Sequence, residues 1–492
     1  MEKSVIEQEY HHAKQWEIGL FSLNNSATNL YLLAFGFLTY YATGIVGLAT
    51  LTVTNLMGFA RLFDGLIDPT IGVLIDRTDT KFGKFRPFMV IGNLMLILSF
   101  LILFNTHHFD GVLKIVVYIF ALIFHKIGYS LQQTVTKAAQ PALTNDPKQR
   151  PLFSVYDTIF SSIGVFTIGQ YVISNILVPR NLNEFNLTFF RELIFIVMSL
   201  SAVYTILAVI GISRKDKKEF WGLGEGSVET KTLKDYLSVI KGNRPLQLLA
   251  VSGGVMKFVG QLYGDAIATV MLFGIVLGDY GINGRMSLMQ VVPNLILVAL
   301  LTRLASKKDL KFVYTLSIIV GIISTILMGI LLITANGSGL LLTMFTDGHW
   351  FSYAFLGLFI VTKIMTNYPN SIVLIMAADI SDYETARSGR FVSGLIGTVF
   401  SLVDSISSSL VPVISGWIVA LLGYRHVLPA VGDALTAGIF KGALAIYVGI
   451  PLALLIVTLV IIIKYPLNSK EMKDIQLKIK EMKKENNIEG HA

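Results

Sequence analysis

Apolar stretches of about twenty residues or more recur about twelve times along this 492-residue chain, and no other feature limits its fold as strongly. A helix that crosses a bilayer needs about 20 mostly apolar residues. The stretches lie near 17–42, 47–75, 86–106, 112–141, 151–178, 190–213, 245–276, 284–303, 312–334, 349–381, 391–422 and 437–464. Several exceed about 25 residues, which predicts tilted or kinked helices. Only 15 % of the residues are charged, against about 25 % in a soluble domain. A single soluble core stops growing near about 250–300 residues. A soluble enzyme, a disordered chain and a disulfide scaffold are therefore excluded. The chain has no cysteine, which removes thiolate nucleophiles, iron–sulfur clusters and cysteine zinc sites.

Charge sets the expected orientation. With the N-terminus placed in the cytoplasm, 29 of the 40 Lys and Arg residues fall on the cytoplasmic side and 5 on the other. The positive-inside rule selects this arrangement, with both termini cytoplasmic. The net charge of +8 is then mostly a cytoplasmic coat, and no nucleic-acid partner is expected. The polar, acid-containing first 16 residues are not expected to be a signal peptide. The longest charged connection, near 214–244, contains Lys231 and Lys234 and divides the stretches six and six. The predicted organisation is a cytoplasmic segment over 1–16, a six-helix bundle over 17–213, a cytoplasmic loop over 214–244, a second bundle over 245–465 and a charged tail over 466–492. The tail has helical spacing and reads as a solvated helix, with a membrane-surface helix as the alternative.

Polar residues inside the stretches fall on stripes. The fourth stretch carries Ser130, Gln133 and Lys137, spaced three and four. The seventh carries Lys257, Gln261 and Asp265, and the tenth Lys363, Asn367 and Asn370. The first carries Asn24, Asn25, Ser26, Thr28 and Asn29. Spacings of three and four place side chains on one helix face. The first, fourth, seventh and tenth stretches begin four three-helix units, the period expected of a transporter built from repeats. A lone Ser, Asn or Gln often only bonds a neighbouring helix. Lysine at membrane depth is costlier and points to function.

The sharpest feature is in the second stretch, where Arg61, Asp64 and Asp68 share a face. Two carboxylates in a low-dielectric site can share a proton or coordinate a monovalent cation such as Na⁺ through oxygen. A structural ion pair with Arg61 or Lys137 is the plainer reading. There is no HExxH motif, and His11, His12, His107, His108 and His125 are placed in the N-terminal segment or near span ends. An embedded enzyme is therefore not expected, nor is a metal cofactor.

The run ARLFDGLIDPTIGVLIDRTDTKFGKFRP (60–87) resembles the signature of the glycoside–pentoside–hexuronide:cation symporters, a branch of the major facilitator superfamily. MAADISDYETARSGRFVSGL (376–395) and YYATGIVGL (40–48) are similar to further segments of that family. The resemblance covers most of 17–465. It implies an all-α membrane protein with twelve transmembrane helices in two six-helix bundles, the major facilitator fold. It also implies alternating access and sugar uptake coupled to H⁺ or Na⁺. Arg61, Asp64 and Asp68 fall on the family's cation-site positions, and Ser130 on a hydroxyl that helps hold the cation.

The departures change the expectation. Ile67 replaces a cation-site asparagine, so an oxygen ligand is lost and H⁺ gains over Na⁺. Gln133 stands for a fourth-helix acid and Lys137 for a sugar-stacking tryptophan. Thr158, beside Asp157, stands for a sugar-contacting arginine, and Ser405, beside Asp404, for a lysine. Asn25 or Asn29 stands in for a first-helix sugar-binding acid. A galactoside site of the melibiose permease type is therefore not expected. Lys137 is expected to offset Asp64 and Asp68 in the empty carrier; binding a uronide carboxylate is its alternative role.

The chain is thus expected to be a monomeric, multi-pass cell-membrane carrier, in contact with membrane lipid, for a glycoside, oligosaccharide or hexuronide. Tyr31, Tyr129, Tyr156 and Tyr263 are candidates for stacking on sugar faces. The rival readings are a carrier of an amphipathic non-sugar solute or lipid, and a non-transporting membrane sensor.

Overall fold

A computed structural model of the chain describes residues 11–146, 148–221, 241–338, 350–389 and 393–485. Among these residues the regular structure is helical, with no strand. The longer helices, in order, are α1 Gln15–Phe35, α2 Thr50–Asp76, α3 Arg86–Leu103, α4 Gly111–Ala138, α5 Arg150–Arg180 and α6 Leu187–Ile212. They continue as α7 Arg244–Leu262, α8 Ala266–Val276, α9 Gly281–Met289, α10 Val291–Lys307 and α11 Leu310–Ser338. Last come α12 Trp350–Ser388, α13 Ser393–Leu421, α14 Ala437–Ile463 and α15 Ser469–Glu485. Lys3, Lys231, Lys234 and Arg390, on which the charge count drew, lie outside the described residues.

Local signals start the helices where the pattern predicts. Pro87, Pro151 and Pro245 occupy the first turns of α3, α5 and α7, where the missing N–H is no loss. Asn186, Asn243 and Thr436 cap α6, α7 and α14 by accepting from the backbone N–H three residues on, which satisfies an orphan donor of the first turn.

Eight helices among the described residues are long and apolar enough to cross a membrane, or ten if α7 with α8 and α9 with α10 each form one bent span. The 21-residue α1 and the 27-residue α2 are also long. Their asparagines and acids keep them out of that apolar set.

Contacts divide the chain into two compact units. The first holds the described part of residues 1–227, with 283–288 and 426–428; the second holds the remainder. In the first, Phe21, Ile75, Met89, Val135, Leu143 and Phe153 form the core. α3 and α4 pack at Gly92 and Gly128, where a Cβ on Gly128 would lie 2.9 Å from the Met95 Cβ. This close crossing fixes the rotation of α4, and Lys126 and Ser130 turn inward while Leu113, Val116 and Phe120 stay exposed. In the second unit, Leu246, Met256, Tyr314, Met365, Ile372 and Leu455 form the core.

The tail is not simply solvated. Asn468 caps α15, and Met472 and Ile475 pack on the second core. Gln476 donates to Asp382 at 2.7 Å. A cavity of about 860 Å³ beside it is lined by Asp309, Lys311, Met376, Tyr465 and Lys473.

Candidate functional site

The sequence-predicted acids of α2 meet α4 in two rungs. Lys126 Nζ donates to Asp64 Oδ2 at 2.7 Å, with side chains 5 % and 21 % exposed. One turn on, Ser130 Oγ donates to Asp68 Oδ1. Both pairs are 62 residues apart in sequence, so α2 and α4 run parallel with matching four-residue steps. The second Asp64 oxygen, Oδ1, is buried and meets no hydrogen-bond partner among the described residues. Arg61, half-buried, lies one turn before Asp64.

The expected role of Lys137 at these acids is not supported by the geometry. Lys137 is exposed and forms no ion pair among the described residues. The register that sets Lys126 against Asp64 sets Lys137 against residue 75. It is eleven residues beyond Lys126, about 16 Å along a helix. Lys126 takes the place in the ion pair. Sequence reasoning left it aside, although it extends the Ser130–Gln133–Lys137 stripe by one turn of four residues.

The surroundings of Lys126 are aromatic. Its Nζ lies 5.1 Å from the Phe35 ring centroid and 5.3 Å from that of half-buried Tyr129, within cation–π range. His125 is not near a span end. It lies buried midway along α4, stacked on Phe35 and Phe100, with Nδ1 3.0 Å from Ser99 Oγ.

A second cluster joins α1, α4 and α5. Asn25 Nδ2 donates to Asp157 Oδ1 at 2.5 Å, and Gln133 Nε2 donates to Asn25 Oδ1 at 3.1 Å. These three half-buried side chains form one chain of donors and acceptors. Two other polar residues of α1, Asn24 and Ser26, hold helices together. Asn24 donates to the Gln132 carbonyl and to Thr136 Oγ1, Ser26 meets Ser161 Oγ, and Asn29 is buried. Just past Asp157 the backbone widens into i→i+5 turns over Thr158–Ile168. Such wide turns often mark functional positions in helices, and the sequence pattern did not reveal them.

In the second unit, Lys257 Nζ pairs with Asp404 Oδ1 at 2.8 Å, with side chains 35 % and 51 % exposed. α7 and α12 approach closely at Gly260, where a Cβ would lie 2.5 Å from Asn367 Oδ1 and 3.6 Å from Asn370 Nδ2. Asn367 Nδ2 also donates to the Lys363 carbonyl. Lys363 Nζ sits 5.4 Å from the Phe359 centroid and forms no ion pair among the described residues. This polar face flanks Pro369, an interior proline of the 39-residue α12. Gln261 is half-buried on α7. The predicted Lys257–Gln261–Asp265 stripe does not continue on one helix. Asp265 falls in the break between α7 and α8, which bend by 48°.

The tyrosines separate by environment. Tyr31 and Tyr263 are buried in packing, Tyr31 edge-on to Phe100 and Tyr263 stacked on Tyr447. Tyr129 and Tyr156 are half-buried, and Tyr156 stacks on Phe160.

Among known proteins, a family model described as MFS/sugar transport protein matches residues 20–469. A lactose permease of Lactobacillus delbrueckii subsp. bulgaricus is 27 % identical over 405 residues, 80 % of this chain and 58 % of that protein. The match thus spans little more than half the length of that relative. A glucuronide carrier protein homolog of Escherichia coli is 22 % identical over 467 residues, 94 % of this chain and 95 % of its own. In structure, the chain is similar to the nucleoside transporter NupG, with a TM-score of 0.59 at 11 % identity over 92 % of this chain and 99 % of that one. That likeness bears on the fold alone. The matched family model, the apolar helices and the fold agree: this chain belongs to the MFS/sugar transport protein family as a glycoside–pentoside–hexuronide:cation symporter-like multi-pass membrane transporter, not an enzyme.

Proposed function

We propose that the chain is a secondary active symporter that couples entry of a glycoside, oligosaccharide or hexuronide to a cation, by alternating access across twelve spans. The observation that carries this reading is the pair of rungs Asp64–Lys126 and Asp68–Ser130, with the Gln133–Asn25–Asp157 chain starting from the same helix α4 and crossing to α1 and α5. A carboxylate with one hydroxyl partner suits a proton, because the hydroxyl donates to the carboxylate and accepts from the acid. Ile67 supplies no oxygen to a Na⁺ ion, so H⁺ is the coupling ion favoured. The names of the relatives, a lactose permease and a glucuronide carrier homolog, support a sugar cargo.

In this reading Asn25, Gln133 and Asp157 hold sugar hydroxyls. The partly exposed Lys257–Asp404 pair parts to meet the cargo. Lys363, Asn367 and Asn370 offer further donors, and Tyr129 a sugar-stacking face. The carrier sits in the cell membrane as a monomer with both termini cytoplasmic, as the charge asymmetry supports. The test is uptake of a panel of labelled glycosides and uronides into proteoliposomes under an imposed pH gradient, inside alkaline. Accumulation of at least one sugar that collapses with protonophore is expected. Accumulation that ignores both the pH gradient and a Na⁺ gradient contradicts the reading.

A further inference from the structure

The two acids of α2 have unlike partners, and the difference assigns them unlike tasks. Ser130 can donate to an ionised Asp68 and accept from a protonated one, so Asp68 keeps its partner in either state. An ammonium has donors and no acceptor, so Lys126 suits Asp64 only as a carboxylate. We propose that Lys126 is a resident counter-cation that holds Asp64 closed to the coupling ion, leaving Asp68 as the acid that loads and unloads in each cycle.

Four observations carry this. The Lys126 side chain is 5 % exposed and its Nζ lies 2.7 Å from Asp64 Oδ2. The rings of Phe35 and Tyr129, 5.1 and 5.3 Å from that Nζ, fix it in place. His125, the next residue along the helix, does not share its position: it is turned into the Phe35–Phe100 stack. The buried Asp64 Oδ1 has no hydrogen-bond partner among the described residues, so this acid has acceptor capacity that one ammonium does not use. Take Lys126 away, and Asp64, Asp68 and Ser130 become two carboxylates and a hydroxyl on adjacent turns, an oxygen set for a monovalent metal ion. The lysine thus excludes a second cation and keeps the carrier silent toward Na⁺.

The proposal rests on the cation-coupled reading above. The two fail separately: Asp68→Asn that retains gradient-driven uptake contradicts that reading, whereas the Na⁺ response of Lys126 variants tests the resident cation. The probe is Na⁺ alone, on the purified full chain without sugar, read as the change in unfolding temperature from 100 mM choline chloride to 100 mM NaCl at pH 8. The parent is expected to shift by less than about 1 °C, Lys126→Met to rise by about 3 °C or more, and Asp64→Asn/Lys126→Met to shift no more than the parent. A merely structural lysine changes the unfolding temperature in both salts equally. The assignment is overturned by a Lys126→Met protein that ignores Na⁺, by a double variant that responds as strongly, or by a parent that already responds. If Lys126→Met does not accumulate in the membrane, Lys126→Gln replaces it. If both fail, the double variant decides: recovered accumulation is the result expected of an acid left unpaired, and its absence overturns the assignment.

Discussion

A buried ammonium persists only while its carboxylate is present, so the rungs between α2 and α4 are where single substitutions act most strongly. Asp64→Asn leaves Lys126 buried without its counter-charge. Breaking a buried pair from one side costs about 3–5 kcal/mol, so this variant is expected to unfold at clearly lower temperature or denaturant than the parent, as measured by thermal unfolding. On α1 two adjacent asparagines separate structure from cargo. Asn24→Ala removes a bond to Thr136 Oγ1 and is expected to lower stability by about 1 kcal/mol with sugar affinity unchanged. Asn25→Ala breaks the chain between Gln133 and Asp157 and is expected to weaken apparent sugar affinity about tenfold, about 1.4 kcal/mol, while coupling persists. Uptake titrations and thermal unfolding on both variants check the contrast. At this scale the acids were legible in the sequence, because Asp-x-x-x-Asp in an apolar helix has few bland explanations. Lys126 was equally visible by spacing. Spacing alone does not choose between Lys126 and Lys137 as the partner of the acids; only the α2–α4 register does.

The helices place these residues through backbone contacts that sequence periodicity carries only in part. α4 presents its stripe because Gly92 and Gly128 let α3 approach. Gly128→Leu is expected to destabilise by about 1–3 kcal/mol by overpacking and to impair uptake together with stability, with thermal unfolding and transport measured side by side. The stripe on α4 was readable because the helix is regular. The one on α7 was not, because the chain breaks before Asp265, and the wide turns of α5 change the three-and-four spacing itself. Buried acids at helix ends were also missed. Asp216, 1 % exposed, accepts from the backbone N–H groups of Lys84, Phe85 and Arg86 at the start of α3. These backbone partners are 130–132 residues away, so no local pattern marks them.

The segment before α1 gives a pH dependence. His11 Nε2 lies 3.2 Å from the Pro141 carbonyl, and its backbone N–H donates to Asn145 Oδ1. Burial, and after it the Lys215 ammonium, holds the imidazole below its ordinary value of 6.5. A depressed histidine favours the docked segment when neutral. As pH falls below about 6.5 the released segment takes up the proton first, so docking weakens. Amide exchange at residues 11–14 is expected to be faster at pH 5.5 than at pH 7.5, after correction for intrinsic rates; unchanged protection contradicts this.

At the scale of the whole molecule, low charge identified the class and the sidedness of Lys and Arg predicted the topology. The absence of cysteine makes that topology directly testable. Single cysteines at Arg180 and Lys148, labelled in intact cells with a membrane-impermeant maleimide, are expected to react at position 180 and not at 148. The helical class and its apolar spans were legible because a bilayer imposes length and composition on every span. The cargo was not legible, because sugar specificity depends on a few hydroxyl-sized distances among residues such as Asn25, Asp157, Lys257 and Asn367. The central claim is that Asp68 loads the cation that drives sugar entry, and sugar-induced proton movement tests it most directly. Proteoliposomes holding the parent protein should alkalinise the external medium when a transported glycoside is added without any imposed gradient. Asp68→Asn should bind and exchange the same glycoside with no alkalinisation. Equal alkalinisation by parent and Asp68→Asn would contradict the account.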